Sequence, residues 1–212
     1  GRQVFDSRGN PTVEAEVFLN NKVKALAIVP SGASTGAFEA YELRDGNKNY
    51  FLGKSVLGAV KNINTIINKN LKQIDSSKQK KIDQILLDID GTENKKKLGA
   101  NALLAVSLAV SKAEAISKKK ELYQHLGKKF LLPKPLMNII NGGAHADNNL
   151  RIQEFMIRPD SAKNFMEAIE KCFLVIQNLK KILQAKNLST NVGDEGGFAP
   201  LINSNEEALD LL

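Results

Sequence analysis

Leu131-Leu132-Pro133-Lys134-Pro135 divides the chain. Two prolines around a lysine can neither continue a helix nor donate to a central strand, and the composition changes across them. The boundary this implies gives domains of residues 1–130 and 131–212. Upstream, strands give way to helices. Val13, Ala15, Val17 and Leu19 alternate with Thr12, Glu14, Glu16 and Phe18, the period-two pattern of a half-buried strand. Asn20-Asn21-Lys22 reads as a hairpin turn, with Val23 to Val29 returning. Val56 to Leu71 sets Val56, Val60, Ile63, Ile67 and Leu71 on one helical face. Ser76-Ser77-Lys78-Gln79 has capping-box spacing ahead of Ile82, Ile85, Leu86 and Ile89. After the turn Asp90-Gly91-Thr92, Gly99 to Ile116 is apolar nearly all round, which predicts a helix buried between layers.

Downstream of the prolines the rhythm changes. Leu136 to Ile140 and Gln153 to Ile157 read as short buried strands, separated by a glycine-rich loop from Asn141 to Asn149. Ser161 to Lys186 predicts a long amphipathic helix whose apolar stripe is Phe165, Ile169, Cys172, Ile176, Leu179 and Leu183. Cys172 on that stripe reads as buried filler rather than a reactive thiol. Asn191 to Pro200 is another glycine-rich strand end. The predicted class is α/β: a small α+β domain with an antiparallel sheet and then helices, followed by strands and helices that begin an α/β domain.

Composition narrows the function classes. The 212 residues are 42% hydrophobic and 25% charged, with one cysteine, so an internal disulfide framework is excluded and a reducing, cytoplasmic setting is expected. No run reaches the roughly 18–20 apolar residues of a membrane span. The net charge of +7 invites a nucleic-acid reading, but it is unevenly placed: +3 over residues 1–75, +6 over 76–130 and −2 over 131–212. Twenty-five of the thirty basic residues are lysine, and no aromatic residues interleave the clusters Lys95-Lys96-Lys97 and Lys118-Lys119-Lys120. Solvated helix faces explain them better than a nucleic-acid site does. Both ends of the chain read as cut, so it is expected to be a piece of something longer.

Three stretches could carry chemistry. In Ser31-Gly32-Ala33-Ser34-Thr35-Gly36, small residues let backbone N–H groups converge on an anion, and three hydroxyls offer hard oxygen donors to phosphate or Mg²⁺. From composition alone an ordinary surface loop is the stronger reading, and a functional one would be a lid. Asn141-Gly142-Gly143-Ala144-His145 projects a histidine from a glycine-rich turn, and Gln153-Glu154 puts an amide and a carboxylate at a strand start. His145 is open between function and a plain surface role. Gly193-Asp194-Glu195-Gly196-Gly197 puts two acids at a strand terminus, where α/β folds place their sites, or else uses them only to shape a turn.

Taken together these stretches resemble the enolase family. Asp6-Ser7-Arg8-Gly9-Asn10-Pro11-Thr12-Val13-Glu14 is similar to its first strand motif, and Pro30 to Gly36 to its mobile loop. Asp90-Gly91-Thr92 with Lys97 to Ala102 is similar to the approach to its buried helix. Asn141 to Ala146, Gln153 to Ile157 and Val192 to Gly197 complete the set in the family's order along essentially the whole chain. The resemblance implies an amino-terminal domain and the first part of an enolase-type barrel, incomplete here because such a fold typically takes about 250 residues. It implies a glycolytic lyase that dehydrates 2-phosphoglycerate to phosphoenolpyruvate with two Mg²⁺ ions per site. Glu195 would be the general acid and Glu154 its partner. His145, Gln153, Ser34 and Ala33 would contact substrate, and Ser34 would complete the second Mg²⁺ when the loop closes. The main carboxylate ligands, the lysine base and a phosphate-gripping arginine are expected beyond Leu212, so the segment alone is expected to be inactive. A homodimer is implied; a membrane span and a nucleic-acid partner are not. A contrasting reading, in which an enolase-like chain acts by binding partners through its lysines, would be favoured by a gene that stops at residue 212.

Overall fold

A computed structural model describes residues 1–20, 22–32 and 35–212. The chain forms two compact units, Gly1–Phe130 and Leu131–Leu212.

The first unit opens with an antiparallel sheet in the order β1 (Arg2–Phe5), β2 (Pro11–Phe18), β3 (Lys24–Val29). Lys22 takes a left-handed φ of 67° where β2 returns into β3, and Asn21 lies outside the described residues. The register pairs Arg2 with Glu14 and Glu16 with Leu26. Alternation in β2 is weaker than its sequence pattern, because Thr12 and Glu14 are buried along with Val13 and Ala15. Thr12 donates its hydroxyl to the Val29 carbonyl, and Arg2 lies across Glu14 and Glu16. A central strand's polar face can be covered when its side chains find partners there.

α1 (Leu57–Asn62) runs through a π-helical turn, Ile63–Ile67, into α2 (Asn68–Leu71), so the stripe predicted for residues 56–71 survives on a helix with one wider turn. Val56, Ile63 and Ile67 are buried on it. No neighbouring side chain caps α1. Its first N–H groups, at Leu57 and Gly58, donate instead to the Asp45 carboxylate at 2.9 and 2.8 Å. Burial raises the Asp45 pKa, but hydrogen bonds from Gly58, Ser55 and Leu57 outweigh it and leave the carboxyl below its ordinary range.

α3 (Gln79–Asp90) corrects the capping-box expectation: neither Ser76 nor Ser77 caps it. Ser76 donates to Glu114 at 2.5 Å, and Gln79 donates to Asp83 and to Ser107. The tertiary partners outcompete the local cap. The helix stops where Gly91 adopts φ 67°. Asp90, 1% exposed, then organises the next turn: Oδ1 accepts from the Thr92 N–H at 3.0 Å and from its hydroxyl, and Oδ2 from the Leu98 N–H at 2.7 Å. Gly99 follows at φ 96°, where a Cβ would lie 2.6 Å from that of Leu43.

α4 (Ala100–Ser117) is the core helix. Ala102, Ala105, Ala109 and Ala113 recur at three- and four-residue spacing and are wholly buried, so the backbone can approach Ala15 and Ala27 of the sheet. The all-round burial expected of it is incomplete, since Leu104, Leu108 and Ile116 form an exposed line. Contrary to the sequence expectation, α4 is long and apolar enough to cross a membrane by length and composition, but 61% of it is buried inside the unit, as in a core helix. α5 (Leu122–Leu126) carries the unit's capping box, with Glu121 and Gln124 bonding each other's backbone N–H.

In the second unit β4 (Met137–Asn141) pairs antiparallel with β5 (Glu154–Ile157), with a register shift between Asn138 and Ile140. On its other side β4 bridges in parallel to Phe198. Ile139 and Ile140 are both buried, so β4 is covered on both faces, as a barrel strand must be. α6 (Phe165–Ala185) starts four residues later than expected because Asn164, not Ser161, caps it by accepting from the Glu167 N–H at 2.9 Å. Its Leu179 and Leu183 join Ile139, Ile140, Phe155, Phe198 and Ile202 in one core. Cys172 is wholly buried, and burial raises its thiol pKa. α7 (Asn205–Asp210) begins at Ser204, which accepts from the Glu207 N–H.

Candidate active site

The second unit gathers its polar residues around one imidazole. β4 ends in Asn141, and the chain turns through Gly142 and Gly143 to His145 in a single 3₁₀ turn. A side chain at Gly142 would put Cβ 2.4 Å from the Ile152 carbonyl oxygen and 2.5 Å from Leu150 Cβ, so only glycine lets the two segments lie this close. Gly142 N–H donates to the Gln153 carbonyl at 3.0 Å and Gly143 N–H to that of Leu150 at 2.9 Å. The turn is thereby sewn to the chain that enters β5. His145 is not projected into solvent, as its sequence setting suggested; it is 5% exposed.

Three side chains face the ring. Gln153 Nε2 lies 2.7 Å from His145 Nε2. An amide nitrogen only donates, so with the amide in this orientation the ring Nε2 accepts and the ring proton sits on Nδ1. Nδ1 faces Glu154 Oε1 at 3.5 Å, within ion-pair range but too long for a hydrogen bond, and it has no hydrogen-bond partner among the described residues. Glu195 Oε1 stands 4.0 Å from Nε2, with its side chain half exposed. Gln153 precedes β5 rather than belonging to it, while Glu154 is the first strand residue.

Glu195 rides on a closed turn. Gly193 N–H donates to the Gly197 carbonyl at 2.8 Å, and Gly196 N–H to that of Gly193 at 3.1 Å. Asp194 N–H reaches the His145 carbonyl at 3.1 Å, tying the two turns together. Asp194 is thus placed by its backbone, and only Glu195 of this acidic pair approaches the ring.

The hydroxyl loop belongs to the first unit. Ala33 and Ser34 lie outside the described residues. The root of the loop is held by a charged network: the Ser31 carbonyl accepts from Arg8 at 2.7 Å, and its hydroxyl donates to Glu42 at 2.6 Å while accepting from Arg44 at 2.7 Å. Sequence reading singled out neither Arg44 nor Glu42, and only their contacts mark them. The same holds for Asn141 and Gly193, quoted within motifs but given no role there.

A family model described as "Enolase, N-terminal domain" matches residues 1–126. The chain belongs to the enolase family. A second family model, "Enolase, C-terminal TIM barrel domain", matches residues 129–212. The enolase of Pelagibacter ubique (strain HTCC1062) is 61% identical over 213 residues, covering 100% of this chain and 51% of that protein. The chain therefore spans about half the length of the curated relative it matches. The antiparallel β4–β5 pair and the parallel bridge to Phe198 are how this enolase barrel begins.

Mg²⁺ is the metal the family brings into question. Among the described residues no three His, Cys, Asp or Glu side chains are grouped to hold a metal ion. The described residues do not make a Mg²⁺ site on their own.

Proposed function

We propose that this chain is the leading part of an enzyme that reversibly dehydrates 2-phosphoglycerate to phosphoenolpyruvate. The observation that carries the reading is the convergence of Gln153 and Glu154 from one stretch and Glu195 from another on the buried His145 of a third, all within an enolase-family barrel. The reaction breaks a C2–H and a C3–O bond and forms a double bond between those carbons. Hydroxide is a poor leaving group, so it needs a proton as the C–O bond breaks. Glu195 is assigned that role. Its carboxyl reaches open space on one side and His145 on the other. Glu154, 3.5 Å from the opposite ring nitrogen, is assigned as the partner of Glu195 near the departing water. His145 and Gln153 would contact substrate, as would Ala33 and Ser34 of the loop; the reading gives the complete protein two Mg²⁺ ions per site, and the Ser34 oxygen would be offered to one of them. A cytoplasmic homodimer is part of the same reading.

The test uses the longer gene product, assayed for phosphoenolpyruvate formation with saturating Mg²⁺. Glu195→Gln should fold normally and lose most turnover, while exchange of the substrate C2 proton with solvent persists. Turnover like that of wild type would remove Glu195 from the acid role. The 212-residue chain itself should give no product, and measurable turnover from it would overturn the assignment of the base and metal ligands to later residues.

A further inference from the structure

The geometry points to Asn141 as the positioning residue that sets where Glu195 stands. This rests on the acid role given to Glu195 above, but the arrangement has its own physical signature.

Asn141 is a wholly buried primary amide at the end of a strand, and each of its polar groups is used. Its backbone N–H donates to the Phe198 carbonyl at 2.8 Å, and its backbone carbonyl accepts from Asn148 Nδ2 at 2.9 Å. Its side-chain Nδ2 donates to the Gly197 carbonyl at 3.1 Å, and its Oδ1 accepts from Asn138 Nδ2. The orientation of the amide follows from this set. The Gly197 carbonyl can only accept, so the nitrogen must face it. Two of the four bonds therefore grip residues 197 and 198, at the foot of the turn that carries Glu195.

The opposite limb of that turn presses on the same amide. A Cβ at Gly193 would lie 2.4 Å from Asn141 Nδ2 and 2.5 Å from the His145 carbonyl oxygen. The Gly197 carbonyl thus accepts from both Gly193 N–H and Asn141 Nδ2, and closes the turn onto β4. Among the described residues the Glu195 carboxylate makes no hydrogen bond, and its approach to His145 Nε2, at 4.0 Å, is too long to fix it. Its place relative to His145 is inherited from the backbone of residues 193–197, and Asn141 is the side chain that fastens that backbone. A small loss of register there would move the carboxyl while leaving its chemistry intact.

Asn141→Asp isolates the effect. It keeps the shape, removes the Nδ2 donor and sets an oxygen against the Gly197 carbonyl. In the 212-residue chain, amide hydrogen exchange at Gly193, Gly196 and Phe198 should quicken by about tenfold or more, with β5 and α6 nearly unchanged. Uniform acceleration across the unit, or none at those three amides, would overturn the fastening. In the longer protein, Asn141→Asp should lower product formation about tenfold more than it lowers C2-proton exchange, with KM little changed. Equal loss of both would mean a merely structural role. Asn141→Ala, which keeps the backbone bond to Phe198, serves should Asn141→Asp fail to fold. Absence of enolase activity in the wild-type longer protein would refute the functional reading, and the exchange result would still decide the fastening.

Discussion

Asp90→Asn is the sharpest test of how the first unit is held. Both faces of this carboxylate meet donors: Oδ1 the N–H and hydroxyl of Thr92, Oδ2 the N–H of Leu98. An amide offers one acceptor where the carboxylate offers two. Whichever way it turns, an NH₂ group confronts a donor, and either Leu98 or Thr92 loses its partner in a buried turn. Leaving one buried N–H unpaired costs about 1–3 kcal/mol, and the other contacts lose their charge assistance, so a loss of about 2–4 kcal/mol is expected. At an m-value of about 1–3 kcal/mol per molar urea, the midpoint for the first unit should fall by about 1–2 M with m unchanged. The pH dependence gives an independent reading. Burial raises the Asp90 pKa, but bonds from Thr92 and Leu98 outweigh it, with Lys97 adding to them, so the carboxyl ends below its ordinary value. A depressed carboxyl pKa contributes stability above the unfolded value of about 3.9 and loses it as pH falls through the folded value. The gap between wild type and Asp90→Asn should therefore be full at neutral pH and close in acid. Urea titrations by circular dichroism at several pH values measure both. A loss under about 0.5 kcal/mol at neutral pH, or a gap that widens in acid, would refute the account of this turn.

Three further outcomes are expected. Gly193→Ala forces a methyl to within 2.4 Å of Asn141 Nδ2 and should destabilise the second unit by about 1–3 kcal/mol, read as a lower urea midpoint for that unit alone. Leu183→Ala, at a wholly buried position of α6, should cost about 2–5 kcal/mol in the same assay, and a cost near zero would show that α6 does not close this core. The Cys172 thiol, buried and raised in pKa, should react with a thiol reagent only as fast as the second unit opens, so labelling should track denaturant; rapid labelling of the native chain would place it at the surface.

The elements most legible in the sequence were those whose burial is a periodic property of one segment. The α6 stripe from Ile169 onward, the alanine-rich α4 and the hairpin of β2 and β3 follow from spacing, whereas Phe165 at the head of the expected stripe is exposed. Where a polar group's fate departed from its local pattern, the cause was often a partner remote in sequence. Ser76 had the right spacing to cap α3, but Glu114, 38 residues away, took its hydroxyl. α1 had no local cap and borrowed Asp45. Glu14 looked solvent-facing until Arg2 covered it. Local pattern states what a segment can do alone; a stronger partner across the fold changes the outcome wherever it meets a polar group.

The same division runs through the candidate site. By itself the sequence determined the residue types that matter and the two glycine-rich turns that carry His145 and Glu195, because turn chemistry and family motifs are written in consecutive residues. Only the tertiary structure decided that His145 is buried rather than displayed, that Glu154 and Glu195 face different nitrogens of its ring, and that Asn141 fastens the turn beneath Glu195. Those are distances between segments up to 56 residues apart, and no spacing rule encodes them. They come from packing, where a wholly buried amide must find all its hydrogen bonds and a glycine must yield the space that makes them possible.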